Sequence, residues 1–142
     1  MDLLQLADRM DKFAASIPEA ASNAAVEVAL AIVKDLAVKT PVDTSQAISN
    51  WIVTLGNPSS NKIPPHFPGE QGSTFFESSE ETIAEAYNVL DEKQPGQDIY
   101  ITNNQDYIIK LNEGSSRQQP AGFVERAVLI GRKISSNVKI TV

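Results

Sequence analysis

The stretch from Asp98 to Arg126, DIYITNNQDYIIKLNEGSSRQQPAGFVER, constrains the fold of this chain most. Ile99, Tyr100, Ile101 and Thr102 are rich in β-formers and alternate in facing, which predicts a short strand. Asn103 and Asn104 end it, because asparagine tolerates turn geometry. Tyr107, Ile108 and Leu111 then fall at helical spacing, with Gly114 placed to close that short helix. A polar hinge follows, Ser115 to Gln119. Pro120 stands just ahead of a further helix carrying Phe123, Ala127, Ile130 and Ile134 on one face. Strand, turn, helix, hinge and helix within so few residues imply a mixed α+β fold. The stretch holds no catalytic constellation.

Upstream, Leu3, Leu6, Met10, Phe13 and Ile17 step by three and four, a helical stripe. Ser16 and Glu19 form a capping-box pattern around Pro18, which predicts either a new helix from about Ile17 to Lys39 or one long helix kinked near Pro18. Its buried face is Ala21, Ala24, Val28, Ile32 and Leu36. Such a stripe suits a helix packed on a core; a coiled coil and a membrane-surface helix are the other readings. Thr40-Pro41 ends the helix. Asp43 is placed to cap a turn through Gln46, Ala47 and Ile48. Trp51, Val53 and Leu55 alternate in a strand ending at Gly56, with Trp51 as a core anchor.

Residues 57–73, NPSSNKIPPHFPGEQGS, suit neither a helix nor an inner strand. So long an irregular stretch predicts an arm reaching out of the domain. His66, the sole histidine, reads there as solvent-exposed, because Glu70 is the only other metal-ligating or proton-transferring residue in the loop. A helix from about Thr74 to Lys93 follows, with Phe76, Ile83, Tyr87 and Leu90 on one face and Ser73 or the Ser78-Ser79 pair as its cap. Glu77, Glu80 and Glu81 suit the positive end of that helix. Gln94 to Gln97 turns into the strand at Ile99. Ser135 to Asn137 is expected to break the last helix, and Val138, Ile140 and Val142 to form a final strand. The expected whole is one α+β domain over 1–142: a long N-terminal helix and two further helices on a small, mostly antiparallel sheet, with a long Pro-rich loop.

Bulk properties narrow the function. The chain has no cysteine, which excludes a thiol redox site, a cysteine-ligated zinc and a disulfide scaffold. A net charge of −6 disfavours a general nucleic-acid binder. No secretory signal is visible, which suggests an intracellular chain at synthesis. The most apolar window, residues 20–38, carries Glu27, Lys34 and Asp35 and reads as an amphipathic helix, not a membrane span.

Two segments resemble a known family. The run IYITNN…Y…L…G…QPAG, together with Thr40-Pro41-Val42-Asp43-Thr44 and Asn50-Trp51, is similar to the tail-completion, or neck, proteins of tailed bacteriophages, the minor tail protein Z-like group. Family members commonly have Thr-Pro-Val-Asp-Thr-Gly, then a short turn ending in Ser-Trp; here Ser45 replaces that Gly and Asn50 that Ser. The segments cover about a third of the chain. The resemblance implies a virion protein assembled in the host cytoplasm. It would form a ring, a hexamer of itself, at the head-proximal end of the tail, beside the tail terminator, tail tube and head-closure proteins. Passing contact with DNA is compatible with a lumen that does not hold it; no cofactor, metal or membrane is implied. Core and motif residues would be Pro41, Asp43, Thr44, Trp51, Tyr100, Asn103, Tyr107, Leu111, Gly114, Pro120 and Gly122. Interface residues would be Pro58, Lys62, Ile63, Pro64, Pro65, His66 and Phe67 on the arm, with Ser115, Ser116, Arg117, Gln118 and Gln119 on the hinge.

Two other classes remain for comparison. An enzyme would draw on Asp43, Asp106 and Glu113, or on His66 with Glu70, and two carboxylates about 5–10 Å apart can support glycoside hydrolysis. No pattern brings these acids together, and each has a simpler local role. A host-directed binding module of phage origin would use the Pro-rich arm.

Overall fold

A computed structural model describes residues 2–137 of the chain. In order, the elements are α1 (Leu3–Lys39), α2 (Gln46–Ser49), β1 (Ile52–Leu55), α3 (Phe75–Leu90), β2 (Ile99–Thr102), α4 (Ile108–Asn112) and α5 (Phe123–Asn137). The fold is α+β. The expected strand through Val138, Ile140 and Val142 lies outside the described residues.

Helix α1 is a single element of 37 residues that runs through Pro18. Proline there removes the bond to the Ala14 carbonyl, but the flanking turns hold the helix. The start is set at Asp2, not at Ser16: the Asp2 carboxylate accepts from the Gln5 amide, and the Gln5 side chain accepts from the Asp2 amide. Ser16 instead donates to the Phe13 carbonyl within the helix. At the far end, Thr40 donates its backbone N–H and its hydroxyl to Leu36, and Pro41 prevents another turn.

Strands β1 and β2 pair antiparallel, with Val53 opposite Ile101 and Leu55 opposite Ile99. Gly56, at a φ of +85°, ends β1 as expected. The core falls into two groups. Ala29, Val33, Val53, Ala86 and Leu90 join α1, β1 and α3. Leu36, Trp51, Phe123 and Ala127 join α1, the residue just before β1, and α5. Ile101 packs against both. Trp51 is the expected anchor: it is buried, and its indole N–H donates to the Thr40 hydroxyl at 2.8 Å. Helix α5 crosses α1 closely at Gly131, where a Cβ atom would stand 2.6 Å from the Ile32 side chain.

Two expected faces, one cap and one helix end need correction. On α3 the buried residues are Ser78, Ser79, Thr82, Ala86 and Leu90, whereas Phe76 and Tyr87 are exposed. The small side chains let this helix approach α2 closely, and Thr82 donates to the Ile48 carbonyl. Neither Ser73 nor the serine pair caps α3: the residue before its first turn is Thr74, and Ser78 bonds the loop at Phe67. On α5 the inward face is Phe123, Ala127 and Gly131, and Ile130 is exposed. Ser135 and Ser136 continue this helix, because Ser136 turns its hydroxyl back to the Lys133 carbonyl.

Candidate functional site

The Pro-rich stretch does not reach outward. It lies against the body, held by side chains of which Asn50, Ser49 and Ser78 are themselves buried. The Asn50 amide, fully buried, both accepts from the Ile63 N–H and donates to the Ile63 carbonyl, each at 2.8 Å. Gln46 donates to the same carbonyl. Farther along, the His66 N–H donates to Ser49 and the Phe67 N–H to Ser78. The Gln71 N–H donates to the Asp43 carboxylate at 2.7 Å. On the other flank Asn104 donates to the carbonyls of Ser59 and Asn61, and Lys62 pairs with Asp106 at 2.8 Å. Prolines leave backbone groups that cannot pair in a sheet, so polar side chains of α2, α3 and the β2–α4 turn satisfy them instead.

Asp43 therefore has a different task from the expected cap. Ser45 precedes α2 in the left-handed region, at a φ of 70°, with no side-chain capping bond. That conformation is the natural place for the glycine the resembling family has. The buried Ser45 hydroxyl shares a hydrogen bond with Thr74.

The segment after β2 folds largely as expected. Gly114, at a φ of +97°, ends α4; its N–H donates to the Leu111 carbonyl and the Ser115 N–H to Lys110, a Schellman closure. Sequence reasoning missed Asn112. Its side-chain oxygen accepts from the Val124 N–H, its amide donates to Glu125, and its carbonyl accepts from the Gly122 N–H. It caps α5 from a different helix, which local pattern cannot reveal. The Asn112 contact holds the Glu125 carboxyl below the usual carboxylate range, aided by the Glu125 backbone and by Arg126.

These elements bring the two family-like segments together. A cleft of about 350 Å³ is lined on one side by Pro41, Val42, Asp43, Thr44, Gln46 and Ala47, and on the other by Tyr107, Leu111, Ser116 and Gln118. Gln118 closes one end: its amide accepts from the Val42 N–H and donates to the Val42 carbonyl, each at 2.8 Å. Partial burial raises the pKa of the Tyr107 phenol above its ordinary value. Asp43 is the only carboxylate among the lining residues. The acids weighed for catalysis have separate partners. Asp106 holds Lys62, which draws its carboxyl below the ordinary range, and Glu113 closes α4 through its backbone.

The expected site residues divide accordingly. Pro41 and Trp51 are core; Tyr100, Asn103, Leu111 and Gly122 are half-buried; Asp43, Thr44, Tyr107, Gly114 and Pro120 are at the surface. Asn103 donates to the Ala47 carbonyl, fixing the β2–α4 turn on α2. Of the arm residues, Pro58, Lys62, Pro64 and Phe67 are exposed, while Ile63, Pro65 and His66 are half-buried. His66 is not a free surface histidine: its imidazole faces the Glu85 carboxylate at 3.5 Å, in place of Glu70. On the hinge, Ser115, Arg117 and Gln118 are exposed and Ser116 and Gln119 half-buried. Among the described residues no three potential metal ligands cluster, and no helix is long and apolar enough to cross a membrane. Comparison with protein-family models, curated proteins and solved structures yields no match.

Proposed function

We propose that this protein is a structural subunit of a tailed-bacteriophage virion, a ring-forming neck or tail-completion protein acting where the tail meets the head. One observation carries the proposal. The two segments that resemble such proteins lie far apart in the chain, yet they form the two walls of one cleft, fastened by the reciprocal bonds of Gln118 to Val42. Segments related only by chance need not meet. Each polar group fastening them is also used for shape, which suits a part that works by surface area and complementarity. The exposed arm residues Pro58, Lys62, Pro64 and Phe67 and the hinge residues Ser115 and Arg117 are the surfaces we assign to neighbouring subunits, the tail terminator, the tail tube and the head-closure protein.

The test is electron microscopy of particles made with the gene deleted. Full heads and finished tails that fail to join support a completion role, and tails of abnormal length support termination. Intact, infectious particles would sink the proposal and move the weight to a host-directed binding module.

A further inference from the structure

The N-terminal half of α1 carries an apolar face that nothing in the described chain covers. Leu3, Leu6, Met10, Phe13 and Ile17 are 84%, 45%, 62%, 37% and 38% exposed. Burial on this helix begins only at Ser22. The five residues alternate strictly by three and four, the a and d positions of a heptad, and the seam runs about 21 Å at 1.5 Å per residue. Ala20 and Ala24 continue it until Glu27. The row beside it, Ala7, Ala14 and Ala21, is small throughout. Asp2, Asp8, Arg9, Asp11 and Lys12 all fall outside the a and d positions, and Lys12 and Asp8 pair with each other at 3.0 Å on the other side of the helix.

We infer that this seam is where copies of the chain meet, through parallel pairing of their N-terminal helices around a common axis. A strict heptad seam is complementary to another helix bearing the same spacing, and a second copy supplies it. The chain already covers the continuation of the same face in that manner, with α5 laid along Val28 and Ile32 at Gly131. The length of the seam argues for more than a pair. Its large residues span little over two heptads, fewer than the three or four over which a coiled coil is usually recognised, so a single pair would bury little. In a bundle each arm meets two neighbours, one across the a and d residues and one across the alanine row, which enlarges the buried area per arm. The residues at a are Leu3, Met10 and Ile17, and only Ile17 is β-branched, unlike the pattern that favours dimers. The parallel direction rests on the ring proposed above, since a rotation axis points all arms the same way.

The absence of cysteine makes the test direct. Single variants Leu6→Cys and Ile17→Cys are oxidised alone and as a mixture, and the mass of the unmodified chain is followed by sedimentation up to near-millimolar concentration. Parallel arms join Leu6→Cys to itself and Ile17→Cys to itself, because like positions face each other. The sedimenting mass then rises to a multiple of 15.4 kDa, and Met10→Glu returns it to the monomer while Tyr87→Glu, on the exposed face of α3, does not. Cross-linking only in the mixture means antiparallel arms and overturns the inference. So does a monomer at every concentration with no cross-link. The neck proposal fails separately: infectious particles after gene deletion would sink it and leave the arm contact standing, and uncross-linked monomers would sink the arm contact and leave the neck role to other surfaces.

Discussion

The two halves of α1 have the same pattern and opposite fates. From Leu3 to Ile17 the apolar residues face solvent; from Ala29 to Ala37 they form the centre of the molecule, with Val33 and Ala37 wholly buried. Periodicity records which residues share a face of a helix. It does not record what lies against that face. The C-terminal half is covered because α3, α5 and the two-stranded sheet return to it. The N-terminal half extends past all of them, so its stripe is as regular and yet bare. Among the described residues the first stripe has no partner, and the proposed contact between copies rests on that; the same stripe under α5 has its partner within the fold.

The largest expected effects lie on the covered half. Trp51→Ala should destabilise the subunit by about 3–5 kcal/mol, the range for a large buried aromatic, and it also removes the bond to the Thr40 hydroxyl that sits on the last turn of α1. Leu36→Ala, at a residue 2% exposed, should cost about 2–5 kcal/mol. Leu6→Ala is the counterpart on the bare half and should move stability by less than about 0.5 kcal/mol. Urea unfolding of dilute protein measures all three. Equal losses at Leu36 and Leu6 would erase the distinction between the halves.

The same contrast explains what could be read from the residues alone. Both strands, the short helix closed by Gly114 and the long N-terminal helix follow from local pattern, because alternation, helical spacing and a glycine at positive φ are local signals. The faces of α3 and α5 do not. Phe76 and Tyr87 look like core by hydrophobicity, but the close approach of α2 selects Thr82 and that of the Pro-rich stretch selects Ser78, and the α1 crossing selects Gly131 over Ile130. The cleft was half legible: its wall segments stood out as motifs, while Asn112 and Gln118, which fasten the elements around it, are ordinary polar residues until their distant partners are known. The Pro-rich stretch misled for a related reason. Its composition states that it makes no regular structure, which is true, and says nothing of the buried amides waiting for its backbone.

That stretch offers a sharper version of the comparison, because it is an irregular segment tied to the body by hydrogen bonds from buried side chains. Asn50→Ala removes bonds to the N–H and carbonyl of Ile63 and to the Gln46 carbonyl. The expected cost is about 1–3 kcal/mol, the range for stranding a buried polar group. Hydrogen exchange should show the Ile63 amide losing protection first. Removal of residues 59–68 as a block should lower thermal stability as well, since Ser49 and Ser78 would also lose partners. A stretch that can be cut out without loss of stability would behave like the bare half of α1, as an appendage and not as part of the body.

The smallest effect concerns the ion pair that holds the outer edge of this stretch. Lys62 lowers the folded pKa of Asp106 beneath its ordinary value of 3.8, so the carboxylate contributes stability that is fully present above that value. As pH falls through the lower, folded value, Asp106 takes up a proton and the contribution is lost. Both partners are largely exposed, so solvent screens the pair and its effect is slight. Asp106→Asn removes the charge at every pH. The thermal midpoints of the two proteins should therefore differ by a small, constant amount at neutral pH and converge below about pH 3.8. High salt should narrow the gap in the same way, because a surface ion pair weakens as ionic strength rises. A gap that persists in strong acid would mean that Asp106 holds the stretch by some contact other than its charge. The Asn104 bonds to Ser59 and Asn61 would then be the next to remove.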